Sequence, residues 1–188
     1  MKGLDSELLL WFVNRATGVI LLILMSVAVA LGVLSTKRTS SQVWPRFVTQ
    51  RLHRNISLLV VAMLVAHASA AIIDGYVDLT WMDAAVPGFA GYEPLWEAFG
   101  AIALDLTLLT VATSLMRHRF GLKRWRAIHL TTYLAWVCGL VHGLGIGTDQ
   151  RSTWSVAITT ICIGLVVGAG ILRLATLTHE RQRDKVFA

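Results

Sequence analysis

The chain has 188 residues, of which 55% are hydrophobic and 15% charged, with a formal net charge of +6. Its mean hydropathy is +0.64, whereas a soluble domain of this length carries more charge to solvate its surface. A soluble globular fold is therefore excluded, and the positions of the basic residues argue against a nucleic-acid partner.

The apolar residues fall into five blocks, each close to the roughly 20 residues that cross a bilayer as a helix. The first covers Leu8–Ser35. Lys2, the apolar run and Ala28-Val29-Ala30 resemble a signal peptide with a cleavage site. The run is long for that purpose, and Lys37 and Arg38 oppose export of the residues beyond them, so a retained helix is expected. Arg15 lies about 10 Å into this span by helical rise. It can snorkel outward or pair with a carboxylate.

The second block, Leu52–Ile73, lies within the stretch that begins RLHRNISLLVVAMLVAHASA at Arg51 and carries His53 and His67. At about 100° per residue these two rings fall within roughly 40° of each other, separated by about 21 Å along the axis. The third block, Leu95–Met116, holds Asp105 near its centre. A carboxylate there is costly, and is either protonated and hydrogen-bonded to a neighbouring helix or part of a proton path.

The fourth block, Ala127–Ile146, lies in WRAIHLTTYLAWVCGLVHGLGIGTD and carries His129 and His142. Their rise is about 20 Å, but an ideal straight helix leaves them about 140° apart. A kink, a non-α turn or an oblique approach of the ligands is needed to bring both to one site. Trp136 stands between them, either as bulk or as a bridge between two layers. The fifth block, Trp154–Ala175, is followed by a short basic tail at 176–188.

Positive charge alternates with the spans. Lys37, Arg38, Arg46, Arg51 and Arg54 crowd the first connection, and Arg117, Arg119, Lys123, Arg124 and Arg126 the third. Arg173, Arg181, Arg183 and Lys185 follow the last span. The second connection has no Lys or Arg but holds Asp74, Asp78, Asp83 and Glu93, while the fourth sets Asp149 against Arg151. By the positive-inside rule the amino terminus is outside and the carboxyl terminus inside. Trp81, Trp96, Tyr76 and Tyr92 flank the outer face as interface anchors. The expected fold is all-α: a single membrane-embedded bundle of five helices over 1–188, multi-pass in a cell membrane, with the bacterial cytoplasmic membrane its expected setting.

No GxGxxG or GxxxxGK[ST] pattern occurs, and the glycines at 143, 145 and 147 lack the strand that a dinucleotide site needs. Cys138 and Cys162 stand alone within spans and are expected to pack rather than bind metal. Gly139/Gly143 and Gly164/Gly168 have the spacing that lets helices, or a flat ligand, approach closely.

The second and fourth spans run in the same direction, so His53 and His129 share the inner depth and His67 and His142 the outer. Two layers of facing imidazoles suit a flat porphyrin held by one His from each side. His118 and His179, in a basic loop and tail, are expected to be solvated bystanders.

The fourteen-then-thirteen spacing of these histidines on alternate helices, the Trp125-Arg126-x-x-His129 start and the His142-Gly143 exit resemble the ferric reductase-like transmembrane domain. That family includes the membrane part of NADPH oxidases, iron reductases and the haem subunit of methionine sulfoxide reductase systems, and the resemblance covers roughly residues 10 to 175. It implies two b-type haems, an inner one held by His53 with His129 and an outer one by His67 with His142. Arg15 would meet an outer propionate, and Trp136 would stand between the haems. It further implies an oxidoreductase component that moves electrons across the membrane; the family does not name the donor, and a flavoprotein reductase or a quinol at the inner side is expected, with an acceptor at the outer face. Many members have six spans where five are expected here, and no FAD or NADPH motif is present. Two other readings remain: a haem-poor membrane anchor of a redox complex, and a proton-coupled carrier using His67, Asp105 and His142.

Overall fold

The computed structural model describes residues 2–35, 45–74 and 77–186, with side chains described for 8–35, 45, 47–74 and 77–176. Lys37, Arg38 and Tyr76 lie outside the described residues, as do the side chains of Arg46, His179, Arg181, Arg183 and Lys185.

Every described regular element is helical: α1 (Lys2–Leu34), α2 (Arg46–Ile73), α3 (Trp81–Ala85), α4 (Pro94–Leu115), α5 (Arg117–Phe120), α6 (Leu122–His129), α7 (Thr131–Ile146) and α8 (Thr153–Val186). Among the described residues five spans are long and apolar enough to cross a membrane: Leu8–Leu34, Phe47–Ile73, Pro94–Leu115, Leu122–Ile146 and Thr153–Thr176. Helices predominate because each satisfies its own backbone hydrogen bonds where lipid offers none.

Three details go beyond the expected blocks. The second helix begins at Arg46, so its first turns are basic, and the last continues through the tail to Val186. The acidic connection holds the short α3, entered through a capping box in which Thr80 and Asp83 bond reciprocally. Asp83 is thus committed to a local helix start. The fourth span is interrupted at Leu130, between α6 and α7, and the Thr131 and Thr132 hydroxyls donate to the carbonyls of Ile128 and His129 at 2.7 and 2.8 Å. Such back-bonding by Thr bends helices. The interruption lies between His129 and His142, whose rings an ideal helix would leave about 140° apart.

The bundle is built from two antiparallel pairs, α1 with α2 and α4 with α7, joined by contacts of α1 with α7 and of α2 with α4. Helix α8 packs chiefly against α1. Between α1 and α2, Leu21, Val60 and Leu64 form a buried cluster to which Leu24, Met25, Met63 and Leu104 add. The α4 face is made of small side chains, with Ala101, Ala103, Thr107, Thr110 and Thr113 all buried. Small residues let membrane helices approach closely, and Thr113 returns its hydroxyl to the Leu109 carbonyl at 2.8 Å. Cys138 and Cys162 are buried free thiols.

Candidate functional site

Four imidazoles face one another in two pairs inside this bundle. The ring centroids of His53 and His129 are 6.0 Å apart with planes at 72°, and those of His67 and His142 are 6.4 Å apart at 86°. An imidazole nitrogen ligates a metal at about 2 Å, so two rings on opposite sides of one ion have centroids about 6 Å apart. Both pairs meet that separation.

Each ring is held at Nδ1. The carbonyl of Ala28 accepts from His53 at 2.9 Å, that of Asn14 from His67 at 3.0 Å and that of Trp96 from His142 at 2.9 Å. His129 meets the Ser114 hydroxyl at 3.4 Å. Committing Nδ1–H to an oxygen fixes the tautomer and leaves the Nε2 lone pair for a metal, as in most histidine-ligated sites.

Small residues make room behind the rings. A Cβ on Gly18 would stand 3.2 Å from His67 Cε1, one on Gly32 3.2 Å from His53 Cε1, and one on Gly100 2.7 Å from His142 Nδ1. With Ser114 behind His129, a residue of α1 or α4 backs every ring. Gly18 and Gly32 are fourteen apart, as are Gly100 and Ser114, matching the separation of His53 and His67. These backing residues were not apparent from the sequence, although that shared spacing was the available signal.

Between the two layers lie the Leu21, Val60 and Leu64 cluster and Trp136. Trp136 is buried, and its indole N–H donates to the fully buried Ser26 at 2.8 Å. Its side chain thus lies between the imidazole levels, with its one polar atom satisfied. Next to His67 and His142 a largely apolar cavity of about 350 Å³ opens, with Leu22, Met25, Gly100, Trp136 and Gly143 on its wall. Nothing stands within 4 Å of the position a Cβ of Gly143 would take, so this glycine leaves cavity space, whereas Gly139 packs on Ala103 and Met25.

At the rim Arg15 forms an ion pair with Asp149. Its guanidinium lies 4.7 Å from the Trp11 ring centroid and 5.6 Å from that of Trp154. Arg15 therefore neither snorkels freely nor stands alone, since a cation over aromatic faces and beside a carboxylate is well held. The buried Oδ1 of Asn14, also on the cavity wall, has no hydrogen-bond partner among the described residues.

Several expected positions resolve differently. Asp105 is exposed on α4, outside the cavity wall, and makes no hydrogen bond among the described residues. The expected bond to a neighbouring helix is absent because its Cβ leaves the helix on the face opposite the packed threonines. The Trp96 ring turns inward against Gly145, while Trp81 and Tyr92 are exposed. His118 is exposed, as are Arg51, Arg54, Arg117, Arg119, Lys123, Arg124 and Arg126 near the His53–His129 end.

The residues fit a flat porphyrin. Among the described residues no group of three or more His, Cys, Asp or Glu could hold a bare metal ion, so a metal between two imidazoles needs its remaining ligands from a bound group. A porphyrin supplies them; beside His67 and His142 the apolar cavity, Gly18, Gly100 and the rim cation suit its faces and its acidic edge, while beside His53 and His129 the fit rests on the facing rings and on Gly32.

Imidazoles paired at two depths across the second and fourth spans, which run in the same direction, place the chain in the class of multi-span helical membrane proteins. The ferric reductase-like transmembrane component model matches residues 17–140, and the chain belongs to that family. Membership implies haem-based electron transfer across a membrane in general terms. No curated protein and no solved structure gave a match.

Proposed function

We propose that the chain is a di-haem cytochrome b that carries electrons across the membrane, from a donor at the His53–His129 end to an acceptor at the His67–His142 end. The observation that carries this reading is the double facing of imidazoles, at 6.0 and 6.4 Å, with all four Nδ1 atoms engaged. Haem, when bound, supplies the iron that changes oxidation state.

The chain's residues do the rest. His53 with His129, and His67 with His142, would hold the two groups by Nε2, one ring from each side. An acceptor would then meet the protein at the His67–His142 end or on a partner docked there. Leu21, Val60, Leu64 and Trp136 exclude water between the levels, and the Trp136 indole shortens the gap that an electron crosses. Arg15 supplies a cation for an outer propionate while Asp149 limits its freedom.

The basic end faces the cytoplasm, as the positive-inside rule requires, and receives a flavoprotein reductase or a membrane quinol. A relay through His67, Asp105 and His142 is disfavoured, since Asp105 lies outside the cavity that the two histidines share. The test is a reduced-minus-oxidised difference spectrum of the purified protein with a haem-to-protein ratio. B-type bands at about two haems per chain support the reading, and a colourless preparation from haem-replete cells overturns it.

A further inference from the structure

The four imidazoles are not held alike, and the difference lies at His129. Three rings donate to helix carbonyls at 2.9 to 3.0 Å. Among the described residues His129 has only the Ser114 hydroxyl, at 3.4 Å. The same oxygen also accepts the indole N–H of Trp125 at 3.2 Å, and the Trp125 ring stacks on His129 with centroids 5.1 Å apart and planes at 29°. A hydroxyl oxygen has two lone pairs, and here two donors draw on them. A carbonyl at 2.9 Å is a far better acceptor than a shared hydroxyl near the distance limit.

The pull on Nδ1–H matters at the other nitrogen. As the proton is drawn toward its acceptor, the ring becomes more basic and Nε2 donates more strongly to a metal. Stronger donation favours the oxidised metal, so hydrogen bonding behind an axial ligand sets a reduction potential. Resting on the haem reading above, we propose that Ser114 and Trp125 are positioning residues that together set the donor strength of His129: Ser114 supplies its one acceptor, and Trp125, by sharing that acceptor, leaves His129 the weakest donor of the four and so raises the midpoint potential of the group it shares with His53.

The two residues act with opposite sign. Ser114 gives His129 what acceptor it has, and Trp125 takes part of that acceptor away. Removing the hydroxyl weakens His129 further. Removing the indole N–H leaves the hydroxyl to His129 alone and strengthens it.

The test is an optical redox titration of the purified holoprotein, as wild type, Ser114→Ala, Ser114→Thr, Trp125→Phe and, for the other layer, Thr17→Val. The Thr17 hydroxyl lies 3.2 Å from His67 Nδ1. Ser114→Ala should move one haem component to higher potential, Trp125→Phe should move the same component lower, and Ser114→Thr should stay near wild type. Thr17→Val should leave that component in place. If Ser114→Ala loses haem, the downward shift in Trp125→Phe decides alone. Shifts of the same sign in both variants, shifts in both components, or no shift with two haems retained would overturn the proposal. A wild-type protein without haem fails the underlying reading instead, and does so before any titration begins.

Discussion

The indole N–H of Trp136 donates to the Ser26 hydroxyl at 2.8 Å, and that hydroxyl donates to the Leu22 carbonyl at 2.7 Å. This chain of two bonds ties α7 to α1 midway between the imidazole levels. Trp136→Phe removes the donor while keeping most of the ring volume, and should cost about 1 kcal/mol, the net worth of one buried hydrogen bond. Thermal unfolding in detergent measures it. Both haems should stay bound with unchanged midpoints, and electron exchange between them should slow several-fold in flash-reduction kinetics. An unchanged exchange rate would make Trp136 packing alone.

The two layers predict a paired loss. His53→Ala and His129→Ala should delete the same spectral component, and His67→Ala and His142→Ala the other. Because the ring planes lie at 72° and 86°, both oxidised haems should give the strongly anisotropic low-spin resonance of crossed axial imidazoles. Loss of one shared component from His53→Ala and His142→Ala would break the layer assignment, and a rhombic resonance would contradict the crossed planes.

Gly100 has the least room of the glycines behind the rings, with a Cβ 2.7 Å from His142 Nδ1. Gly100→Ala should push the imidazole off the Trp96 carbonyl and lower haem content from about two per chain toward one. Gly32→Ala, at 3.2 Å from His53, asks its neighbour to yield only a few tenths of an ångström and should retain more haem. The ratio of haem to protein in the two variants decides, and equal losses would remove the steric account.

Orientation is open to chemical labelling. Asp78 is exposed in the acidic connection, and both native thiols are buried. A cysteine at Asp78 should react with an impermeant reagent added to intact cells. Reaction only after the membrane is broken would invert the bundle and the direction of electron flow.

The donor side predicts a dependence on salt. With no dinucleotide motif in these residues, NADH or NADPH alone should not reduce the purified haems. A flavoprotein docking on exposed Arg119, Lys123 and Arg124 should lose rate as salt rises, because charges beyond about 8 Å are screened at physiological ionic strength. Neutralising those three should slow that route and spare a quinol. Stopped-flow reduction with each donor distinguishes them, and a variant slow with quinol but normal with flavoprotein would reduce the basic face to a topology signal.

How much of this could be read from residues alone depends on range. Five long helices followed from block length, since apolar runs in lipid have few other options. The matching of His53 with His129 and of His67 with His142 by depth followed from spacing combined with alternating direction, whereas their facing did not, because an ideal helix leaves His129 and His142 about 140° apart. The backing of each ring did not, because it depends on how far α1 slides along α2 and α4 along α7, a register that hydrophobicity leaves free. Likewise the break at Leu130 arises from hydroxyls taking carbonyls, and Arg15 meets Asp149 across most of the chain's length. For Asp105 the depth was legible, but the azimuth against the packed threonines was not.

The last long helix has a different bearing on the molecule's history. The helices that carry or back the four imidazoles end at Ile146, while Trp154, Ser155, Ile158 and Thr159 of α8 furnish one side of the cavity beside His67 and His142. Since a chain emerges from its amino terminus at about 5–20 residues per second, every ring and its support is synthesised before that side exists. A nascent protein thus passes through a stage with the chamber beside His67 and His142 still ajar, and the door arrives only with α8.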